Sequence, residues 1–214
     1  MIPKTPRAGR DIIARHGETV FNAARRLQGD AAHTPLTRAG FAQADRMGAA
    51  LRTLLGYRPT LTLWASPTGR ALQTLAVIVE HLGLDWHAAR TDVRLVEIDT
   101  GSWGGRYYAD VVGEVGPIVD SATGLLRCAP DGEDYPAIAA RVGGWASDTA
   151  ADPGDRLVIM HGISSRVLRG VLAGLAPDPV YGAPIADGLP QGSISLMAAG
   201  QDTLAHLGSG RAPA

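Results

Sequence analysis

The sequence predicts an α/β sandwich in which helices cover both faces of a mostly parallel sheet. Short apolar runs, typical of buried strands, alternate along the chain with amphipathic stretches at helical spacing. This alternation is typical of strand–helix–strand units, which build such sheets. No stretch has the composition of a linker, so a single domain over residues 1–214 is expected, with residues 1–9 as a loose arm and residues 99–133 as an irregular insert.

The first half of the chain contains two predicted strand–helix pairs. Residues 12–14 form a short apolar run that is consistent with a buried strand. Residues 37–56 place apolar side chains at helical spacing behind Thr37, a fair N-cap, and so predict an amphipathic helix. Residues 61–65 predict the second strand, and Ser66 is the expected N-cap of the helix that follows.

The second half repeats the alternation less regularly. Residues 92–96 are a short strand candidate, and a helix is expected over residues 135–149. Residues 156–160 are the clearest strand of the chain, and Ser164 is the expected N-cap of the helix after them. Two apolar runs between residues 194 and 206 predict a closing hairpin.

Composition and charge exclude several classes of protein. The 214 residues carry 20 basic and 21 acidic side chains and a net charge of -1, so no general affinity for nucleic acids or anionic membranes is expected. Lys4 is the only lysine and lies in the expected loose arm, so a catalytic cation is expected to be arginine or histidine. Cys128 is the only cysteine, which excludes an intrachain disulfide and a cysteine-based zinc site. Without a signal-peptide pattern or a membrane-length apolar run, the cytoplasm is the expected compartment.

Polar residues follow several of the predicted strands. His16 comes after the first strand with Arg15 beside it, and Arg70 comes shortly after the second. Glu97 follows the third strand candidate, and His161 follows the clearest one. Ligands of open α/β sheets bind beyond the carboxyl ends of the strands, so these five side chains are expected to share one site.

These residue types suit phosphoryl transfer through a covalent histidine. A neutral imidazole is a competent nucleophile near pH 7. Arginine forks and a second imidazole can hold the phosphoryl oxygens, and a carboxylic acid can protonate the leaving alkoxide. Gly17 and Gly162 would let backbone N–H groups come close to those oxygens.

Five motifs, in order along the chain, resemble those of the histidine phosphatase (phosphoglycerate mutase-like) superfamily. The motifs are Arg15-His16-Gly17-Glu18-Thr19 with Asn22; Gln28-Gly29 with Pro35-Leu36-Thr37; Ser66-Pro67 with Arg70; Leu95-x-Glu97 with Trp103; and His161-Gly162. Arg-His-Gly alone would be a weak signal, whereas five ordered motifs make a chance match improbable.

The resemblance implies a role for each matching residue. His16 would be the phosphorylated nucleophile, and Glu97 would be the general acid and later the base for the hydrolytic water, with Asp99 as the alternative acid. The phosphoryl group would be held by Arg15, Asn22, Arg70 and His161. Further substrate or phosphate contacts are expected from Gln28, Gly29 and Gly162. The family has a three-layer αβα sandwich and needs no metal or cofactor, and the resemblance makes a homodimer reasonable.

Two positions depart from the family pattern. His33 stands where the family commonly has Asp or Asn, and Gly104 stands where Glu often follows the tryptophan. Neither position belongs to the core constellation. The departures therefore concern local substrate contacts rather than the class of protein.

The expected function is phosphomonoester hydrolysis through phosphohistidine, by a cofactor-independent phosphatase of the histidine acid type. A small phosphorylated metabolite would be the substrate and inorganic phosphate a product. The first alternative is a mutase of the same family, and the second is a non-catalytic module that binds phosphorylated ligands. The third is a metallohydrolase that uses His16, His33 and His161. Nothing in the sequence identifies the particular phosphomonoester.

Overall fold

The computed structural model describes residues 7–210, which form a six-stranded sheet flanked by helices. In chain order the strands are β1 (Asp11–Arg15), β2 (Leu61–Ala65), β3 (Arg90–Thr91), β4 (Asp155–Met160), β5 (Ile194–Ala198) and β6 (Gln201–His206). Their order across the sheet is β3-β2-β4-β1-β5-β6. The first four strands in this spatial order run parallel to one another. β5 is antiparallel to β1, and β6 is antiparallel to β5. The predicted mostly parallel sheet and the closing hairpin are therefore confirmed.

Helices lie on both faces of the sheet. They are α1 (Val20–Ala23), α2 (Arg38–Leu55), α3 (Gly69–Leu82), α4 (Tyr108–Val115), α5 (Tyr135–Asp148) and α6 (Gly162–Leu172). Successive side chains of a strand point to opposite faces. Ile12 accordingly belongs to a core with the apolar faces of α2 and α3, whereas Ile13 belongs to a core with α5 and α6. This is the predicted three-layer αβα sandwich.

The predicted strand at residues 92–96 does not form. The strand in this part of the chain is the shorter β3, and a 3₁₀ helix over Val93–Leu95 follows it. The Asp92 side chain caps this helix by accepting a hydrogen bond from the Arg94 backbone N–H at 2.8 Å. The hydrogen bond to the Asp92 side chain thus favours the 3₁₀ helix over continued strand pairing in this segment.

Helix starts agree with the sequence only in part. Thr37 caps α2 as predicted, since its hydroxyl accepts from the Gly40 N–H at 3.0 Å. Helix α3 begins at Gly69, with Thr68 instead of the predicted Ser66 at its N-cap position. Ser66 still pairs with the sheet, because its N–H donates to the Ile159 carbonyl. Helix α6 begins after His161, so Ser164 is inside the helix and the predicted cap there is wrong.

The insert at residues 99–133 contains short helices and also contributes to the core. It contains a 3₁₀ helix over Gly101–Trp103 and α4. The buried side chains that it adds to the α5–α6 core include Trp103, Val111, Ile118 and Leu125. The insert is therefore an integral part of the packed structure.

The predicted loose arm is tied down where the structure describes it. Residues 1–6 of that arm lie outside the described residues. Arg7 donates to the carbonyls of Asp152 and Gly154. Among the helices of residues 7–210, none is both long and apolar enough to cross a bilayer.

Candidate active site

The predicted site residues converge at the carboxyl ends of the parallel strands, around a cavity of about 300 Å³. Seven of them line it, namely Arg15, His16, Asn22, Gln28, Gly29, Glu97 and Gly162. Arg70 and His161 are not among the lining residues. Both are completely buried, and His161 lies against His16, with ring centroids 5.1 Å apart.

His16 is buried at the end of β1, and one of its ring nitrogens makes a hydrogen bond to the backbone. Its Nδ1 lies 2.7 Å from the carbonyl oxygen of Gly17, so the neutral ring carries its proton on Nδ1. This leaves the lone pair on Nε2. The same hydrogen bond would stabilise positive charge on the ring if Nε2 formed a covalent bond.

Both histidines are held in the neutral form. Burial lowers the pKa of His16 well below its ordinary value, and the charges of Arg70 and then Arg15 lower it further. Burial followed by Arg70 and His16 has the same effect on the pKa of His161. A neutral imidazole is the form that can act as a nucleophile.

His161 is fixed in the opposite tautomer. Arg70 Nε donates to His161 Nδ1 at 3.1 Å, so in the neutral ring Nε2 carries the proton. The Nε2 atom is buried and has no hydrogen-bond partner among the described residues. A buried donor without a partner is costly, and a phosphoryl oxygen is a suitable acceptor for it.

Arg70 is tied into the fold by most of its guanidinium. Besides His161, it donates to the carbonyls of Ala31 at 2.6 Å and Gly29 at 2.8 Å, and to the Thr34 hydroxyl at 3.0 Å. These bonds occupy all but one of the N–H groups of an arginine side chain. Arg70 therefore orients His161 and holds the loop of residues 29–34.

Gly29 is held in a conformation that favours glycine. Its φ is +52°, and an added Cβ would lie 2.6 Å from the Thr100 hydroxyl oxygen. Its carbonyl oxygen accepts a hydrogen bond from Arg70. The glycine thus allows the loop to turn toward Arg70.

Arg15 is a buried cation beside the cavity. Burial lowers its pKa to about 10, against an opposing effect of Glu97, so the guanidinium stays charged at neutral pH. Its Nη1 donates to the Leu189 carbonyl at 2.8 Å. An added Cβ on Gly162 would lie 3.3 Å from this guanidinium, so Gly162 leaves space for Arg15 as α6 begins.

Gly17 has a packing role in the structure. An added Cβ would lie 2.3 Å from the Gly40 carbonyl oxygen, so the glycine lets the first turn of α2 approach the loop after β1. The Gly17 N–H donates to the Thr74 hydroxyl at 3.2 Å. Close backbone packing thus explains why a glycine occupies this position of the motif, independently of any contact with a ligand.

Glu97 lies at the N-terminus of α6. Its carboxylate accepts from the backbone N–H groups of Ile163 at 3.0 Å and Ser164 at 2.9 Å, and from that of Ile98 at 3.0 Å. The orphan amides of a helix N-terminus are commonly satisfied by such an acceptor. Glu97 therefore caps α6 and is also one of the residues that line the cavity.

Asn22 and Gln28, which also line the cavity, form a small network around Thr19. Asn22 Oδ1 accepts from the backbone N–H of Thr19 at 3.0 Å. The Thr19 hydroxyl has one hydrogen and lies within hydrogen-bond distance of both Asn22 Oδ1 and Gln28 Oε1. Because its amide oxygen is already occupied, Asn22 has its NH₂ group left to offer a ligand.

Three further residues at the cavity lie outside the sequence motifs. Arg25, Tyr108 and Gln191 also line the cavity. Burial raises the pKa of Tyr108 to about 12, so its hydroxyl stays protonated. In the sequence, the arginines and tyrosines near these positions resemble an ordinary solvated surface, and only the fold brings these residues to the cavity.

Three positions that the sequence singled out, His33, Asp99 and Gly104, do not line the cavity. His33 is exposed, and the described part of the chain brings no three His, Cys, Asp or Glu side chains together as metal ligands. The three-histidine arrangement of the metallohydrolase hypothesis is therefore not formed. Asp99 is exposed too, and its carboxylate accepts from the Gly101 N–H at 2.8 Å. Gly104 is also exposed, outside the cavity.

Comparison with known families identifies the class of protein as a phosphatase or phosphotransferase enzyme. The histidine phosphatase superfamily (branch 1) matches residues 12–204. The chain belongs to this superfamily, as the sequence motifs predict.

Individual relatives fall on both sides of the mutase and phosphatase division. The chain is 33% identical over 180 residues to "Probable phosphoglycerate mutase GpmB" of Enterobacter sp. (strain 638), covering 79% of this chain and 75% of that protein. It is 35% identical over 105 residues to glucosyl-3-phosphoglycerate phosphatase of Mycobacterium tuberculosis, covering 49% of this chain and 44% of that protein. The solved structure of a mycobacterial glucosyl-3-phosphoglycerate phosphatase matches with a TM-score of 0.73 at 26% identity, covering 95% of this chain and 100% of that one.

Proposed function

We propose that this protein hydrolyses a small phosphorylated metabolite through a phosphohistidine intermediate on His16. The observation that carries the proposal is the pair of buried, neutral histidines with complementary tautomers. His16 has its lone pair on Nε2, and His161 has an unpartnered N–H. One nitrogen can attack phosphorus while the other holds a phosphoryl oxygen.

The first half-reaction transfers the phosphoryl group to the protein. The Nε2 lone pair of His16 attacks phosphorus, a P–N bond forms and the P–O bond to the leaving group breaks. Glu97, in its protonated form, gives its proton to the leaving oxygen. Arg15 and the His161 N–H stabilise the charge on the transferred phosphoryl oxygens. The Gly17 carbonyl supports the positive charge that the His16 ring acquires.

The second half-reaction releases inorganic phosphate. A water molecule loses a proton to the Glu97 carboxylate and attacks phosphorus, and the P–N bond breaks. His16 regains its neutral form and Glu97 its proton. This cycle uses only side chains of the chain itself, in one domain that we propose to span residues 1–214.

The substrate proposal is supported by the size and lining of the cavity. About 300 Å³ suits a small molecule, and the polar lining is rich in donors such as Arg15, Asn22 and Gln28. Such a lining is complementary to a phosphomonoester dianion. The similarity to glucosyl-3-phosphoglycerate phosphatase favours hydrolysis of a phosphorylated metabolite.

The similarity to proteins named phosphoglycerate mutase keeps mutase activity as the second candidate. Both reactions share the phosphohistidine and differ in what accepts the phosphoryl group. An assay with 3-phosphoglycerate, with and without 2,3-bisphosphoglycerate, separates them. Phosphate release that outpaces isomer formation is the expected result, and the reverse would replace hydrolase by mutase.

The test of the nucleophile is His16→Ala. We expect loss of p-nitrophenyl phosphate turnover by about 10⁴-fold or more, because removal of a nucleophile leaves only binding and electrostatic effects. Wild-type protein quenched during turnover should contain an acid-labile, alkali-stable phosphoryl group that the variant lacks. The control is His87→Ala, since His87 is exposed on the surface. Activity of His16→Ala within tenfold of wild type would disprove the assignment. Phosphate binding by the wild type without turnover would indicate a binding module instead.

A further inference from the structure

Arg141 makes an unusual set of contacts behind the wall of the cavity that carries Glu97. It lies in α5, and its guanidinium donates to the carbonyls of Arg94 at 2.7 Å, Val96 at 2.8 Å and Glu97 at 3.3 Å. It also holds Glu133 through two hydrogen bonds of 2.6 and 2.9 Å. Only 15% of the Arg141 side chain is exposed. One side chain thus gathers three carbonyls of a single short segment.

This segment lacks the usual backbone support. The strand expected at residues 92–96 is replaced by a 3₁₀ helix, and the chain leaves it in an extended form at Val96. No described backbone N–H outside the regular elements donates to the carbonyls of Val96 or Glu97. Backbone carbonyls away from water need partners, and Arg141 supplies them.

Glu97 is consequently held from two sides. Arg141 of α5 fixes its backbone, and the first amides of α6 hold its carboxylate. Helices α5 and α6 share one hydrophobic core, so both anchors belong to the same rigid unit. The Glu133 backbone is connected to the same loop, because its N–H donates to the Asp99 carbonyl at 2.9 Å.

Arg141 also acts electrostatically on the centre of the site. Its charge is among the causes that lower the pKa of His161, after burial, Arg70 and His16. Arg141 therefore acts on His161 through its charge and on Glu97 through a hydrogen bond to the backbone carbonyl.

We propose that Arg141, held by Glu133, is a positioning residue that sets Glu97 for proton transfer to the leaving group. The inference rests on the proposed function. Arg141 touches no substrate; it acts by keeping the Glu97 backbone at a fixed distance from the His16 side of the cavity. A displacement of about 1 Å is enough to impair a general acid.

The experiment measures kcat/KM for two substrates that differ in their need for an acid. Glycerol 2-phosphate has a poor alkoxide leaving group that needs a proton. The p-nitrophenolate of p-nitrophenyl phosphate leaves without protonation. We expect Glu97→Gln to lower kcat/KM by roughly 100-fold for the alkyl substrate and by less than about fivefold for the aryl substrate. Arg141→Met should show the same selectivity, with a loss of roughly 10-fold or more for the alkyl substrate alone.

Two further variants test whether the effect is specific to Arg141. Arg94→Met is the matched control, because Arg94 belongs to the same segment but pairs with Asp92 and Asp148 at the surface. It should change both values by less than about twofold. Arg141→Lys should recover part of the kcat/KM for the alkyl substrate, since a lysine can still donate to the carbonyls.

The double variant Glu97→Gln/Arg141→Met decides whether Arg141 acts through Glu97. We expect it to be no worse than Glu97→Gln on the alkyl substrate. Additive losses, or equal losses on both substrates for Arg141→Met, would overturn the inference. If Arg141→Met fails to fold, Glu133→Gln must give the same selectivity more weakly, and its absence would also overturn the inference. A wild type that turns over neither substrate and forms no phosphohistidine would instead refute the proposed function on which the inference rests.

Discussion

The inner and outer parts of the candidate site are built by different means. The inner part contains His16, His161 and Arg70, which are almost completely buried and bonded to strand ends and backbone carbonyls. The outer part contains Arg25 and Tyr108, which come from loops and from the start of α4. Arg25 is exposed, and its φ of +55° places a non-glycine residue in the left-handed region.

The outer part is held by the pairing of two loop segments. The Arg25 carbonyl accepts from the Tyr108 N–H at 3.0 Å, and the Leu27 N–H donates to the Arg106 carbonyl at 2.9 Å. The Arg26 guanidinium lies 4.6 Å from the centre of the Tyr107 ring. Loops of this kind tolerate change better than strand ends do. We therefore expect the sheet to fix the proposed chemistry and the paired loops to select the leaving group.

The largest expected effect is loss of stability in Arg70→Ala, which would break the inner part. The substitution leaves the buried carbonyl of Gly29 and the partly buried carbonyl of Ala31 without their donor and removes the bond to His161. We expect the free energy of unfolding to fall by about 3–5 kcal/mol, measured by urea denaturation. Arg38→Ala, at an exposed arginine of α2, should change it by less than about 0.5 kcal/mol. A loss below about 1 kcal/mol in Arg70→Ala would show that the inner part does not depend on this side chain.

An intermediate effect is expected on the pH dependence of stability. The pKa values of His16 and His161 are lowered in the folded state, so below about pH 6.5 the unfolded chain binds protons that the folded chain does not. Stability is therefore retained above pH 6.5 and lost as the pH falls, by about 1.4 kcal/mol per pH unit for each histidine. Unfolding measured between pH 7 and 5 should give a shallower slope for His16→Asn than for wild type. His87→Asn, at an exposed histidine, is the control and should leave the slope unchanged. Equal slopes for His16→Asn and wild type would contradict the neutral buried state.

The smallest effect is expected in the outer part and concerns Arg25→Ala. The exposed guanidinium can pair with a second anionic group on a leaving group, a contact worth about 1 kcal/mol. We expect KM to rise about fivefold for 3-phosphoglycerate and less than twofold for glycerol 3-phosphate, which lacks the carboxylate. Arg106→Ala is the control, because Arg106 lies outside the cavity lining and pairs with Glu114. A similar change in KM for the two substrates would remove Arg25 from the leaving-group site.

Local patterns in the sequence are sufficient to predict much of the inner part. The apolar runs that end in Arg15-His16-Gly17 and His161-Gly162 form β1 and β4, and both histidines lie at the predicted sheet edge. Thr37 caps α2 because its hydroxyl reaches an amide three residues along the chain. Such signals involve neighbours in sequence, so they can be recognised without knowledge of the fold.

Tertiary structure alone decides the contacts that complete the site. Glu97 replaces Ser164 as the acceptor at the start of α6, although the two residues are far apart in sequence. The segment before Glu97 becomes a 3₁₀ helix held by Arg141 instead of the expected strand. Arg70 proves to be bonded largely to the protein itself. Hydrogen bonds between distant segments depend on how the layers pack, and no local periodicity or capping pattern records that packing.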